Sequence, residues 1–149
     1  MGDTAFDIDR AAEKTFTGDL VSDVTTDAIA PFPGLKPEAA APYVAVPDAA
    51  TGPLDIFAGT AAGSIVLVGT SYSANPIWSF AEALKLALGR DVLNQAVEGQ
   101  GPLQPMLDYL DSAEFRDAPP EVVIWEIPAR YLSDPAIWQR GMTEEKPRA

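Results

Sequence analysis

A short apolar run followed by a small, serine-bearing turn constrains the fold of this chain more than any other feature. The run is Ile65–Val68, and the next residues, Gly69–Ser73, read Gly-Thr-Ser-Tyr-Ser. A continuous run rich in β-branched residues predicts a strand that is buried on both faces, as in a parallel sheet. The glycine allows a tight turn in which backbone amides come close to a ligand. Strand, turn, serine and helix in this order are typical of a nucleophilic serine at the carboxyl edge of an α/β sheet.

The hydroxyl residues of this turn also have a simpler explanation. Thr70, Ser71 and Ser73 can cap the helix that follows, because their side-chain oxygens accept hydrogen bonds from the free amides of a first helical turn. The residues alone leave both the nucleophile and the cap open as interpretations of the turn.

Further strands and amphipathic helices follow at the spacing of βαβ units. They are predicted as a helix from about Pro76 to Leu88, a strand at Asp91–Val97, a helix opened by Pro102 with Leu103, Met106, Leu107 and Leu110 on one face, a loop at Phe115–Pro120, a strand at Glu121–Glu126 and a short helical piece near Pro135–Arg140. Helices between consecutive strands predict a parallel α/β sheet whose strand carboxyl ends share one edge. We expect this α/β domain to cover residues 54–140.

The remainder of the chain gives weaker signals. Residues 1–53 are expected to form an irregular arm and connections, and residues 141–149 a frayed tail. Within the first part the patterns predict a loose arm at Met1–Lys14, a short strand or helix at Thr15–Val24, a Pro- and Ala-rich connection at Pro31–Pro53 and a strand at Tyr43–Val46, followed by an edge strand at Leu54–Phe57.

Composition limits the possible functions. The chain has 149 residues, 47% of them apolar, which suits one globular domain with a core. Its net charge of −12 argues against nucleic-acid binding and against an anionic membrane surface. It contains no Cys and no His, so it lacks the commonest general base and the commonest transition-metal ligand, and we predict no cofactor. Its first residues do not resemble a signal peptide, which predicts either a cytoplasmic chain or a true N-terminus elsewhere.

Three turns are expected to converge at the carboxyl edge of the sheet. They supply the serines, Gly69 and Asn75; then Asn94, Glu98, Gly99, Gln100 and Gly101; then Glu126, Pro128 and Arg130. This set holds a hydroxyl nucleophile, glycine amides for an oxyanion hole, carboxylates and one cation. It predicts an acyl-transfer site that lacks a base for the serine proton.

Each of these residues also has a structural explanation. Gly99 can simply form a turn, and Asn94 can bond to its own loop. Glu126 and Arg130 are expected to form an ion pair that keeps the carboxylate structurally engaged. Trp125 is expected in the core, whereas Trp78 lies near the serine turn and can line a carbohydrate site.

The serine turn and the stretch Val123–Leu132, with its Trp-Glu-x-Pro-x-Arg pattern, together resemble the SGNH-hydrolase-like domain of the alginate O-acetyltransferase family (AlgJ/AlgX-like). The resemblance covers roughly Leu54 to Leu132. It implies a partial, flavodoxin-like, three-layer α/β/α fold with a parallel sheet. It also implies acetyl transfer to hydroxyls of an exported polysaccharide, in the periplasm or at the cell surface, with a polysaccharide, an acetyl donor and other exopolysaccharide-biosynthesis proteins as candidate partners.

The resemblance implies roles for individual residues. Ser71 matches the family's nucleophile, and we expect its hydroxyl, rather than that of Ser73, to face the cleft. The expected oxyanion and substrate-binding residues are Gly69, Thr70, Tyr72, Ser73, Trp78, Asn94, Gly99, Gly101, Glu126 and Arg130. The family's upstream Asp-x-His motif has no counterpart in a chain without His. We therefore predict an incomplete or degenerate copy with esterase activity near background; the alternative is a non-catalytic glycan-binding or protein-interaction α/β module.

Overall fold

The computed structural model of the chain describes residues 4–16, 38–48 and 64–143, with side chains as far as residue 139. The predicted edge strand at 54–57 and most of the ambiguous segment at 15–24 lie outside these ranges. The elements are strands β1 (Phe6–Arg10), β2 (Lys14–Phe16), β3 (Glu38–Ala40), β4 (Tyr43–Pro47), β5 (Ile65–Val68), β6 (Val92–Asn94) and β7 (Val122–Trp125), and helices α1 (Ser71–Ala74), α2 (Phe80–Leu88), α3 (Leu103–Leu110), α4 (Ala113–Asp117) and α5 (Pro135–Thr143), with 3-10 turns at Pro76–Trp78 and Ala129–Tyr131.

The parallel sheet has β5 at its centre. Among the described strands, β6 pairs with one side of β5 and β7 with the other, both in parallel. Leu67 of β5 is in register with Asn94 of β6 and with Ile124 of β7. The carboxyl ends of the three strands therefore meet at one edge of the sheet, which confirms the predicted arrangement.

The side chains of β5 alternate between two helical layers. Ile65 and Leu67 pack in a cluster with Ala81 of α2, and Val66 and Val68 pack in a second cluster with residues of α3. All four strand residues are buried, which explains the continuous apolar run, since each face of a central strand meets a helix. The predicted three-layer α/β/α order is therefore confirmed.

The helix predicted from Pro76 to Leu88 is interrupted at Ser79. Ser79 has left-handed backbone angles, with φ 48° and ψ 31°, and its amide closes the Pro76–Trp78 3-10 turn by donating to the Pro76 carbonyl. α2 begins only at Phe80, which is consequently turned outward and partly exposed instead of lying on the buried face. The Ser79 side chain is buried, and its hydroxyl oxygen accepts a 2.8 Å hydrogen bond from the Tyr43 amide.

The buried face of α3 also differs from the predicted one. Leu107 and Leu110 were expected inside, but they are 38% and 43% exposed, whereas Met106 and Tyr109 are buried. The Tyr109 ring packs edge-on against Phe115 at a centroid distance of 5.5 Å. Phe115 belongs to α4, in a segment predicted to be a loop, and Ser112 caps this helix by accepting a hydrogen bond from the Phe115 amide.

The N-terminal strands correct the prediction of a loose arm. Phe6–Arg10 forms β1 and pairs antiparallel with β4, whose own position matches the predicted strand at Tyr43–Val46. β2 pairs antiparallel with β3. The Ala45 amide of β4 donates to Glu82 Oε2 of α2 at 2.8 Å, so a distant helix holds strands that local sequence specifies only weakly. Among the described residues, no helix is both long and apolar enough to cross a bilayer.

Candidate functional site

The serine turn begins directly at the end of β5. Thr70 is the N-cap of α1, because its Oγ1 accepts a hydrogen bond from the Tyr72 amide and its carbonyl accepts the amides of Ser73 and Ala74. Ser71 is thus the first residue of a one-turn helix at the carboxyl end of the central strand. Thr70 is therefore the residue that caps the helix, and capping does not explain the serine at position 71.

Ser71 and Ser73 lie in different surroundings. Ser73 is 3% exposed, and its hydroxyl donates to Glu126 Oε2 at 3.2 Å. Ser71 is half-buried, and its side chain makes no hydrogen bond with any residue that the structure describes. Of these two serines, Ser71 is the one whose hydroxyl has no hydrogen-bond partner among the described residues. Its predicted exposure in the cleft and its role as nucleophile stay predictions.

Glu126 holds the serine turn in place. Its Oε2 accepts hydrogen bonds from the Thr70 amide at 2.7 Å, the Thr70 hydroxyl at 2.9 Å and the Ser73 hydroxyl at 3.2 Å. Its own amide donates to the Val68 carbonyl at 2.8 Å, which extends the pairing of β7 with β5. The carboxylate at the end of one strand therefore fixes the turn that follows the neighbouring strand.

This contact also explains why a glycine precedes Thr70. A Cβ atom at Gly69 would lie 2.6 Å from Glu126 Oε2 and 2.8 Å from Glu126 Cβ, distances at which the carboxylate or the turn must shift. The close approach of Glu126 therefore requires Gly69, and the predicted contribution of Gly69 to ligand binding stays a prediction.

The predicted ion pair between Glu126 and Arg130 is wrong. Within the described residues no carboxylate oxygen lies within 4.0 Å of the Arg130 guanidinium. Its Nη1 donates to Tyr72 Oη at 3.0 Å and its Nη2 to Tyr131 Oη at 3.4 Å. The guanidinium carbon lies 5.3 Å and 4.8 Å from the centroids of the same two rings. The hydrogen bonds to Tyr131 and Tyr72 raise the pKa of Arg130 above its ordinary value, so the group stays charged.

Asn94 connects β6 to the serine turn. Its Nδ2 donates to the Ser73 carbonyl at 2.7 Å, and its Oδ1 accepts from the Ala96 amide at 3.1 Å. The hydrogen bond to the Ala96 amide agrees with the structural explanation that Asn94 bonds to its own loop. The hydrogen bond to the Ser73 carbonyl also holds α1 in place, in addition to the contacts of Glu126. Asn94 is exposed, so its remaining hydrogen-bonding capacity faces solvent.

Gly99 and Gly101 both have positive φ, 77° and 68°. An added Cβ would meet nothing within 4 Å at either position, so turn geometry explains these glycines without a ligand. Their segment is brought to the site by the Val97 amide, which donates to the Gly69 carbonyl at 3.1 Å. A contribution of their amides to an oxyanion hole stays a prediction.

The two tryptophans considered from the sequence lie in different environments. Trp78 is 37% exposed, with its ring 6.2 Å from Tyr72 and edge-on to Phe16 at 5.3 Å. Trp125, predicted in the core, is partly exposed at the outer strand β7; its Nε1 donates to the Pro102 carbonyl at 2.9 Å, and its ring meets Trp138 at 6.0 Å.

Sequence reasoning missed Tyr131, which contacts Arg130 and lies beside it in the chain. The Arg-Tyr pair was visible, but a side-by-side pair gives no sign that the rings of Tyr72 and Tyr131 flank one guanidinium. Over the described ranges, no group of three or more Asp and Glu side chains could hold a metal ion.

The parallel three-layer fold with a serine turn after its central strand agrees with an SGNH-hydrolase-like domain. The chain matches, over residues 1–129, the family described as "SGNH hydrolase-like domain, acetyltransferase AlgX", and it belongs to that family. The "probable alginate O-acetylase AlgJ" of Pseudomonas aeruginosa is 42% identical to it over 127 residues, which are 80% of this chain and 32% of that protein. "Alginate biosynthesis protein AlgX" of Pseudomonas putida is 37% identical over 99 residues, 66% of this chain and 20% of that protein.

Solved structures show the same likeness. The O-acetyltransferase domain of Pseudomonas putida AlgJ superposes with a TM-score of 0.70 at 38% identity, covering 89% of this chain and 43% of that one. Pseudomonas aeruginosa AlgX gives a TM-score of 0.62 at 29% identity, covering 83% of this chain and 26% of that one. The chain thus spans less than half the length of each of these relatives and structures.

Proposed function

We propose that this domain carries the nucleophile of a polysaccharide O-acetyltransferase, and that Ser71 is that nucleophile. The observation that carries the proposal is the pair of serines on α1 at the carboxyl edge of the sheet. The Ser73 hydroxyl is bound to Glu126, whereas the Ser71 hydroxyl has no hydrogen-bond partner within the described part of the chain. The name of the AlgJ relative, "probable alginate O-acetylase", supports the same chemistry.

In the proposed reaction the Ser71 oxygen attacks the acetyl carbonyl of an ester donor and forms acetyl-serine. The serine proton passes to a base, and the departing alcohol takes up a proton as the ester bond breaks. A sugar hydroxyl then attacks the acetyl-serine, loses its proton to the same base and leaves as the acetyl ester, while the serine oxygen is reprotonated.

The chain contains no His, so it lacks the side chain that usually accepts the proton of a nucleophilic serine. Glu126 is a poor substitute because its Oε2 already accepts three hydrogen bonds from the turn. We therefore expect the isolated chain to react slowly, and we expect a small exogenous base, imidazole, to replace the absent group.

By extension from the relatives, we propose that the acceptor is an exported polysaccharide acetylated in the periplasm or at the cell surface. Other exopolysaccharide-biosynthesis proteins are the partners that this role would require. The net charge of −12 is consistent with the expected absence of nucleic acid among the partners.

The test is acetylation of the purified chain by p-nitrophenyl acetate, with and without imidazole, followed by peptide mass mapping. Without imidazole we expect a rate near background that Ser71→Ala changes by less than about tenfold, whereas loss of a serine from an intact triad costs far more. With imidazole we expect acetyl on the Ser71 peptide, absent in Ser71→Ala. Ser133→Ala, at an exposed serine beyond the serine turn, is the matched control and should leave acetylation unchanged.

Acetylation of Ser133 to the same extent as Ser71 would overturn the assignment, whereas acetyl on lysine or tyrosine side chains is the ordinary reaction of the ester and of the acetylimidazole it forms. A fast imidazole-independent rate that Ser71→Ala abolishes would show that the chain contains its own base. Glycan binding without acetyl-serine, even with imidazole present, would favour the non-catalytic glycan-binding module instead.

A further inference from the structure

One edge of strand β1 has no pairing partner among the described residues. At the two ends of the β1–β4 pairing, the Asp48 amide donates to the Ala5 carbonyl and the Ala11 amide donates to the Pro42 carbonyl. Backbone groups that face the partner strand alternate with groups that face away from it along an antiparallel strand. The residues whose amides and carbonyls face away from β4 are therefore Phe6, Ile8 and Arg10, and none of these backbone groups is hydrogen-bonded within the described part of the chain.

The outer edge of β4, in contrast, is covered by side chains. The Tyr43 amide donates to Ser79 Oγ at 2.8 Å. The next amide on the same edge, that of Ala45, donates to Glu82 Oε2 of α2 at 2.8 Å. An edge with free amides and carbonyls is a template for a further strand, so β1 is the side of this two-stranded sheet on which another strand can pair.

The side chains of β1 specify the charge of such a strand. Asp7 and Asp9 are exposed and lie on one face of β1, because alternate residues of a strand share a face. Neither carboxylate forms an ion pair with a basic side chain that the structure describes. Their neighbours across the ladder, Val46 and Val44, are 45% and 55% exposed. A strand added to this edge meets two carboxylates without a counter-ion beside an apolar surface.

The opposite face of β1 specifies an apolar residue between the two charges. Ile8 lies between Asp7 and Asp9 and is 45% exposed. Its partner across the ladder is Ala45, which is buried and adds little side chain on that face. An apolar side chain opposite Ile8 would cover it and remove apolar surface from water.

The outer edge of β7 is also open, by the same alternation. The Glu126 amide donates to the Val68 carbonyl, so the backbone groups of Val123 and Trp125 face away from β5. The strand Val122–Trp125 has no charged side chain, and it therefore specifies no charge in a partner. The occupant can be identified at β1, where two carboxylates lie at the edge.

A second copy of β1 does not suit this edge. Two such strands pairing antiparallel about Ile8 would place Asp7 of each chain opposite Asp9 of the other on one face. Like charges directly opposite each other destabilise a ladder, and each chain carries a net charge of −12. A basic strand in the same place forms opposite-charge pairs at both positions.

We propose that the open edge of β1 binds an extended, basic segment of another protein by antiparallel strand addition. Basic residues of this segment lie opposite Asp7 and Asp9, and the apolar residue between them lies opposite Ile8. The Ile8 amide and carbonyl exchange two hydrogen bonds with that apolar residue. Main-chain hydrogen bonds then supply affinity, and the alternating side chains supply specificity. The proposal does not depend on Ser71 or on acyl transfer.

The test titrates the full chain, labelled with nitrogen-15, with the capped peptide Thr-Lys-Val-Lys-Val at low ionic strength. The central valine of the peptide is designed to lie opposite Ile8. We expect the largest changes of amide chemical shift in β1, Phe6–Arg10. The peptide Thr-Glu-Val-Glu-Val has the same apolar residues and the opposite charge, and it should bind at least about tenfold more weakly.

Two double variants of the protein separate the charge at β1 from the charge of the whole chain. Asp7→Asn combined with Asp9→Asn should weaken binding of the basic peptide about tenfold, because both opposite-charge pairs are lost. Glu13→Gln combined with Glu98→Gln removes the same charge from exposed residues outside β1 and should change affinity by less than about twofold. Thermal unfolding verifies that both variants are folded.

A methyl group on the peptide backbone tests the pairing without altering the protein. Methylation of the central valine nitrogen removes the donor that faces Ile8 and should abolish binding. Methylation of a lysine nitrogen, which faces away from β1 in the proposed pairing, should change affinity by less than about threefold.

The proposal is overturned if the basic peptide does not bind, if the acidic peptide binds as tightly, or if the largest shift changes lie outside β1. It is also overturned if the control variant loses as much affinity as the Asp7 and Asp9 variant, or if lysine methylation blocks binding and valine methylation does not. A dimer that forms through β1 and excludes the basic peptide would show that a second copy occupies the edge instead. No acetyl transfer is measured, so these outcomes are separate from failure of the proposed function.

Discussion

Glu126 shows at the scale of one residue how the site is held together. One carboxylate oxygen receives a backbone amide and two hydroxyl groups from the turn after β5. These donors lie on Thr70 and Ser73, both buried, so water cannot readily replace the carboxylate. Leaving buried donors without partners costs more than the net value of the hydrogen bonds themselves.

We predict that Glu126→Ala lowers the free energy of unfolding by about 2–3 kcal/mol, since it leaves buried donors unpaired. Glu121→Ala is the matched control. It removes an exposed carboxylate that lies next to the same strand and forms an ion pair with Arg90, and it should cost less than about 1 kcal/mol. Urea unfolding measures both. An equal effect of the two substitutions would contradict the role given to Glu126.

At the level of an element, the buried ring of Tyr109 in α3 packs against Phe115 of α4. Burial, and to a lesser extent the negative charge of Glu114, raise the pKa of Tyr109 above its ordinary value of 10.0. Folding therefore favours the neutral phenol. The unfolded chain loses this proton first as the pH rises, so the contribution of Tyr109 to stability is complete below about pH 10 and is lost above it.

We predict that the unfolding midpoint in urea falls more steeply above about pH 10 in the unsubstituted chain than in Tyr109→Phe, which keeps the ring contact with Phe115 and has no proton to lose. The two pH profiles should run parallel at lower pH. Parallel profiles over the whole range would mean that ionisation of Tyr109 is not coupled to folding.

At the scale of the whole molecule, the N-terminal strands attach to the α/β part through a few polar contacts. Glu82 of α2 accepts the Ala45 amide, Ser79 accepts the Tyr43 amide, and the Thr4 amide donates to the Gly89 carbonyl. The buried clusters that surround β5, in contrast, are apolar. The Phe16–Trp78 ring contact also joins the two parts. We expect the N-terminal strands to open more readily than β5, because they contribute no residue to the two buried clusters around β5.

We predict that Glu82→Ala increases amide hydrogen exchange in β4, Tyr43–Pro47, while the amides of β5 keep their protection. The reason is that the Ala45 amide loses its acceptor and the cluster around Leu67 is untouched. Glu114→Ala, at an exposed residue of α4, serves as the control and should leave β4 unchanged. Equal acceleration in β4 and β5 would show that the strands and the sheet open as one unit.

Local patterns in the sequence were sufficient to predict much of the fold. Four apolar residues before Gly69 predicted the central strand, and the helices between strands predicted a parallel sheet with one functional edge. The serine turn followed from the same order of residues, whereas the choice of Ser71 over Ser73 came from the family resemblance and stays a prediction. These features depend on short-range periodicity and turn chemistry, which neighbouring residues determine by themselves.

Only the tertiary structure decided which distant residues meet. Glu126 bonds to Thr70 and Ser73 rather than to Arg130, and Arg130 contacts the rings of Tyr72 and Tyr131. The sequence also did not predict the pairing of β1 with β4 or the exposure of Leu107 and Leu110 on α3. A side chain can reach several partners of similar chemistry, and the choice among them depends on strand order and register, which place residues 53 and 58 positions apart in direct contact.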